Sequence, residues 1–170
     1  MNMKKYLLIG FIALGFGCSG KLLATAASAR MVNETARLEL LSAVMNRYVG
    51  FVNLTEVTRA AGQDLPTFAA ALFAEDCVKV VNGAEKARSC RQITDQMVKM
   101  GTDLPGGWFV YPRNFVFGKN CAGNDTGVMV LDFTLGGKPF MIMVQLIFND
   151  AGKICQIEEV FAPVDVVAAT

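Results

Sequence analysis

The chain has 170 residues, of which 53% are hydrophobic and 18% charged, with a formal net charge of +1. This is the composition of a compact globular protein with a proper core; it excludes a disordered chain, and the absence of a basic run excludes a nucleic-acid binder. Histidine is missing altogether, which removes Ser-His-Asp and Cys-His catalysis together with His-ligated zinc.

The first residues read as a leader. Lys4 and Lys5 precede the apolar run Tyr6–Phe16, a charged n-region and an h-region that suit export and are short for a membrane span. Gly15-Phe16-Gly17 before Cys18 resembles a bacterial lipobox, in which Cys18 would be lipidated, although Leu14 stands one place too far upstream and Phe16 is bulky. Ala27-Ser28-Ala29 before Arg30 offers a second small-x-small cleavage site. Residues 1–29 are thus expected to be an export signal and residues 30–170 one domain, located in the periplasm, secreted, or held at the membrane through the leader or Cys18. Removing or lipidating Cys18 leaves Cys77, Cys90, Cys121 and Cys155, an even number suited to an oxidising compartment. Their spacing has no C-x-x-C pair, so neither a structural zinc nor any other cofactor is expected.

Val32–Val52 reads as a helix, with Leu38, Leu41, Val44, Met45, Tyr48 and Val52 at three- and four-residue spacing and Asn33 as N-cap. A second helical stretch covers Leu54–Ala61, pauses at Gly62 to Pro66 and resumes over Thr67–Ala74. Cys77–Val81 is a short strand ended by Asn82-Gly83, and Arg91–Met100 is a third helix with Ile93, Met97 and Met100 inward. Four strands follow in succession: Trp108–Phe117, Gly127–Leu135, Pro139–Phe148 and Ile154–Phe161. Gly118-Lys-Asn, Gly123-Asn124-Asp125, Gly136-Gly137 and Asn149-Asp150-Ala-Gly152 supply the turn chemistry between them. Gly127–Leu135 alternates, placing Met129, Leu131, Phe133 and Leu135 on one face and Val128, Val130, Asp132 and Thr134 on the other.

Two helices, a short strand, a helix and a four-strand meander resemble the nuclear transport factor 2-like superfamily, including its SnoaL-like branch. The resemblance covers roughly Ala36–Phe161. Its specific pieces are Asn46-Arg47-Tyr48, Leu72-Phe73-Ala74-Glu75-Asp76, and Asn149-Asp150-Ala-Gly-Lys-Ile154 before a strand ending Glu158-Glu159-Val160-Phe161. It implies an α+β fold in which a strongly curved, mainly antiparallel sheet wraps around N-terminal helices to form a cone with an apolar pocket. Ketosteroid isomerase, whose chemistry needs no histidine, is the useful template within it. Its tyrosine falls on Tyr48, its base carboxylate on Val81, and its protonated acid on Met141 or Met143. Two of those three positions are apolar here, so that chemistry is not expected.

The resemblance makes the first and last strands neighbours, so that Lys79 and Glu159 could meet near the mouth of the cone; the alternative is that both snorkel to water. Tyr48 is either a core tyrosine or a hydroxyl that orients a ligand. Met97, Met129, Met141 and Met143 make a methionine-rich interior, either packed or adaptable. With Val81, Phe133, Phe161 and Trp108 these residues form the expected pocket, Trp108 and Tyr111 standing at its mouth or at an interface. Asp132 is read as outward, beside an apolar Val128/Val130 surface that could serve a homodimer contact. Neighbouring strands also suggest the bridge Cys77–Cys155, and Cys90, which opens the third helix, is expected to bridge to Cys121, which closes the strand running back beside it. The reading that results is an exported, non-catalytic domain binding a small apolar ligand or a protein partner of the cell envelope. The alternatives are an isomerase or lyase using Tyr48 with Lys79 or Glu159, and a structural subunit of an envelope complex.

Overall fold

The computed structural model describes residues 33–53, 64–103, 108–135 and 138–163. The leader with Cys18, the helical stretch expected over Leu54–Ala61 and the Gly136-Gly137 turn lie outside the described residues. By internal packing the chain divides into Met1–Glu39 and Leu40–Thr170. In the first unit residues 33–39 are helical and Arg37 pairs with Glu34 at 2.6 Å, one turn away. All that follows concerns the second unit.

Its first helix, α1, occupies residues 40–53, with Leu41, Val44, Met45, Tyr48 and Phe51 buried at helical spacing. Helix α2 runs Leu65–Leu72, two residues earlier than its apolar pattern suggests, because Asp64 caps it and Pro66 fits the first turn. Phe73 and Ala74, expected to end that helix, instead begin strand β1, Phe73–Val81. An Asn82-Gly83 turn with both residues at positive φ (49° and 76°) then folds the chain back into β2, Ala84–Ala87. That two-residue Asn-Gly loop is a strong hairpin signal, and it marks the one strand that the apolar pattern alone does not. Helix α3 is Cys90–Asp103, followed by β3 (Val110–Lys119), β4 (Asp125–Leu135), β5 (Lys138–Phe148) and β6 (Ile154–Pro163).

The six strands form one curved, unclosed sheet in the order β2-β1-β6-β5-β4-β3. Only β1 and β6 are parallel; the other pairs are antiparallel. Turns are closed by side chains: Asn120 Oδ1 accepts from the amides of Ala122 and Asn124, and Asn149 Oδ1 from those of Ala151 and Lys153. The inward faces of the strands meet α1, α2 and α3 around Phe51, Phe73, Leu131, Val144, Leu146 and Ile157.

One close approach fixes α1 on the sheet. Gly127, opposite Leu146 on β5, lies directly under the Met45 thioether, where an added Cβ would overlap the sulfur. Met45 is fully buried and has little room to withdraw. Gly127→Ala is therefore expected to destabilise the fold by roughly 1–3 kcal/mol through overpacking. Urea unfolding measures this, and in Gly127→Ala/Met45→Ala the two costs should fall short of additivity, since the second change removes the overlap.

Candidate functional site

Strand β6 lies between β1 and β5 and alternates so that Ile157, Glu159 and Phe161 face the helices. On β1 the same face carries Cys77 and Lys79, with Lys79 level with Ile157 and Val81 level with Glu159. Lys79 and Glu159 are thus diagonal neighbours on adjacent strands. The Lys79 Nζ lies 3.0 Å from Glu159 Oε2. Tyr48, on the inward face of α1, donates its hydroxyl to Glu159 Oε1 at 2.6 Å. All three are buried, with relative exposures of 1% for Tyr48, 9% for Lys79 and 7% for Glu159. Asn82 holds this end of β6: its amide donates to the Glu159 carbonyl at 2.8 Å, and its side-chain oxygen accepts from the Phe161 amide at 2.9 Å.

The cluster lies in the wall of a cavity of about 340 Å³, within the size range of small-ligand pockets. Its apolar wall comes from Val52 on α1 and from Val81, Leu131, Phe133, Ile142, Val144 and Phe161 on the sheet. Trp108 completes it from the segment before β3, while α3 contributes Gln96, Met97, Lys99, Met100 and Asp103, and β2 contributes Lys86. Asn53, unremarked in the sequence, anchors the end of α1 beside Trp108: it accepts from the Val110 amide at 2.9 Å and donates to the Val110 carbonyl at 3.1 Å.

Burial first, and then the charge and hydrogen bond of Glu159, hold the Tyr48 phenol well above its usual pKa, so it remains a donor. Burial also pushes the Cys77 thiol up to about 12, with Cys155, Cys90 and Asp76 adding and Lys79 opposing. A thiol that stays protonated at neutral pH is not a nucleophile. Among the described residues no group of three or more Cys, Asp and Glu could hold a metal ion.

Several expected positions change. Met141 and Met143 do not enter the pocket: they pair with Asp132 and Val130 on the outer face of the sheet, and Met143 is 49% exposed. Ile142 and Val144 take the inward positions on β5, because the register sets them opposite Leu131 and Met129. Met129 is inward and buried in the core, away from the cavity wall. Asp132 is outward, pairing with Arg113 at 2.7 Å. Tyr111 is exposed and packs on Phe109, their ring centroids 4.5 Å apart. The four described cysteines are free thiols, so neither bridge is formed. Cys77 and Cys155 stand on the adjacent strands β1 and β6, in the stretch before the Val78–Gln156 pair where the register is irregular. Cys121 lies in the β3–β4 turn at the opposite edge of the sheet from β1, the strand on which α3 packs, so Cys90 does not meet it.

No family model matches the chain, and no curated protein sequence matches it. Solved structures do. A proposed ketosteroid isomerase from Kribbella flavida DSM 17836 superposes with a TM-score of 0.55 at 19% identity, covering 75% of this chain and 81% of that one. A nuclear transport factor 2-like protein of unknown function from Burkholderia xenovorans LB400 gives 0.56 at 11% identity, covering 78% and 91%. A proposed isomerase of the SnoaL-like family from Agrobacterium tumefaciens str. C58 gives 0.53 at 12% identity, covering 73% and 98%. At these identities the likeness is one of fold. The helices, the parallel β1–β6 pair and the antiparallel meander of this chain make up the nuclear transport factor 2-like fold.

Proposed function

We propose that this chain is an exported binding domain whose cavity takes up a small, largely apolar ligand without converting it. The observation that supports this most directly is the engagement of Glu159. One of its carboxylate oxygens accepts from Tyr48 and the other meets Lys79, so the polar cluster is satisfied within itself. A proton-abstracting base needs open reach to its substrate. Val81, Ile142 and Val144, which surround the cluster from the sheet, offer neither base nor donor.

The neutral fluorophore N-phenyl-1-naphthylamine tests the cavity. Val81 is half-buried in its wall, so Val81→Trp should fill the space and weaken binding about ten-fold or more, with little change in melting temperature. Unchanged binding would place the ligand elsewhere. The isomerase reading keeps some support from the names of the Kribbella and Agrobacterium structures and from the inward Tyr48. Turnover of a 3-oxo-Δ5-steroid, lost in both Tyr48→Phe and Glu159→Gln, would establish it in place of binding.

Export rests on Lys4-Lys5 and the apolar run to Phe16; full-length soluble protein in the cytoplasm of the native host would end that part of the proposal. For an oxidising compartment Cys77 and Cys155 are the pair to test for a bridge, since they stand on the adjacent strands β1 and β6 and Cys155 acts on the Cys77 thiol. Non-reducing peptide mapping that finds both as free thiols in exported protein would exclude the bridge.

A further inference from the structure

We infer that the ligand is an amphipathic anion, with its apolar body in the cavity and a carboxylate-like head held by Lys86. The inference rests on the binding reading above and adds the chemical class of the ligand. Five charged residues line the cavity: Lys79, Lys86, Lys99, Asp103 and Glu159. Lys79 is paired with Glu159, and Lys99 with Asp103, each at 3.0 Å. Lys86 is left over, and among the described residues it has no ion-pair partner. Its acidic neighbour Glu85 is engaged by Arg88. The wall therefore holds one positive charge in excess, at the end where β2 meets α3.

The backbone that carries Lys86 is held in place. The Asn82-Gly83 turn ties β2 to β1, Ala87 pairs with Lys79, and the Lys86 carbonyl accepts from the Gln96 side chain of α3. Lys86 is exposed and so retains much of its hydration, but it lines the same cavity as the apolar wall. A neutral ligand would leave the ammonium unused, and a cationic one would be repelled. An anion joined to an apolar body satisfies both parts of the site.

The test compares decanoate with decan-1-ol on the full chain at neutral pH, below the concentrations at which either aggregates. Trp108, the single tryptophan of the sequence, lines the cavity and reports binding by its fluorescence. Decanoate should bind about five-fold more tightly than the alcohol, the size of a partly solvated ion pair, and the preference should shrink as salt is added. Lys86→Gln should abolish the preference without changing the melting temperature, and Lys86→Glu should reverse it. Equal affinities in the wild type, or a preference that survives in Lys86→Gln, would overturn the inference and leave the apolar-ligand reading intact. If neither compound perturbs Trp108 or displaces N-phenyl-1-naphthylamine, the cavity is not a ligand site and the inference falls with that reading.

Discussion

Lys79→Met is expected to lower the stability of the domain by about 3–5 kcal/mol, the range for removing one partner of a buried ion pair. The Glu159 carboxylate would then lie in an apolar wall with Tyr48 as its remaining hydrogen-bond donor among the described contacts. The loss comes from the stranded charge more than from the attraction that is removed, and a second variant separates the two. In Lys79→Met/Glu159→Gln no charge is buried, and the amide oxygen can still accept from Tyr48. That double variant should recover most of the loss in urea unfolding. A single-variant loss below about 1 kcal/mol would show that Glu159 is solvated and that the pair has the worth of a surface contact.

The three members of this cluster were accessible from the sequence for different reasons. Tyr48 follows Leu41, Val44 and Met45 on one helical face, and period alone puts it inward. Lys79 and Glu159 need more than period: alternation gives each a face, and only the adjacency of the first and last strands brings them together. The resemblance in strand order supplied that adjacency. Burial of two charges was the harder inference, since Lys and Glu are rarely buried unless paired.

The misplaced methionines show a different limit. Direct cross-strand partners share a face, so counting back from the Leu135–Lys138 pair puts Met141 beside Asp132 and Met143 beside Val130. Starting the strand at Pro139 leaves that count open, and one residue of slip inverts every side chain. The β2 strand was missed because Ala84, Glu85 and Lys86 are exposed and have no apolar alternation. Its loss hid Lys86, and with it the charge on the cavity wall. Gln96, Lys99 and Asp103 were hidden likewise, because they belong to the polar side of α3 and only tertiary placement brings that side to the cavity.

The ketosteroid-isomerase comparison survives this correction. Whichever side chain of β5 is aligned with the template's acid, methionine outward or isoleucine and valine inward, none can donate a hydrogen bond to a developing oxyanion. The expectation that this chain lacks that template's chemistry therefore does not hang on one alignment choice.

Phe51→Ala should be the other severe substitution, with a loss of about 3–5 kcal/mol from transferred surface and the cavity left behind. Phe51 is 1% exposed and stands one turn after Tyr48 on the same face of α1. Its ring meets Phe73 edge-on, with centroids 5.0 Å apart at 82°, and stacks on Phe68 at 6.4 Å and 11°. It thereby joins α1 to the start of β1 and to α2. Phe68 is only partly buried and is covered by the Arg47 guanidinium, 5.5 Å from its centroid. Phe68→Ala should consequently lose much less, roughly 1–2 kcal/mol, because solvent already reaches that side and the site can relax. Equal losses at the two positions would mean that the stack, and not the contact with β1, holds the helix. Loosening α1 at Phe51 should also reach the cavity, since Tyr48 is held to Glu159 from the same helix face. At a temperature where Phe51→Ala is still folded, its affinity for N-phenyl-1-naphthylamine should fall, whereas Phe68→Ala should bind as the wild type does. Binding that is unchanged in Phe51→Ala would show that the hydrogen bond to Glu159 positions Tyr48 without help from the aromatic packing beneath it.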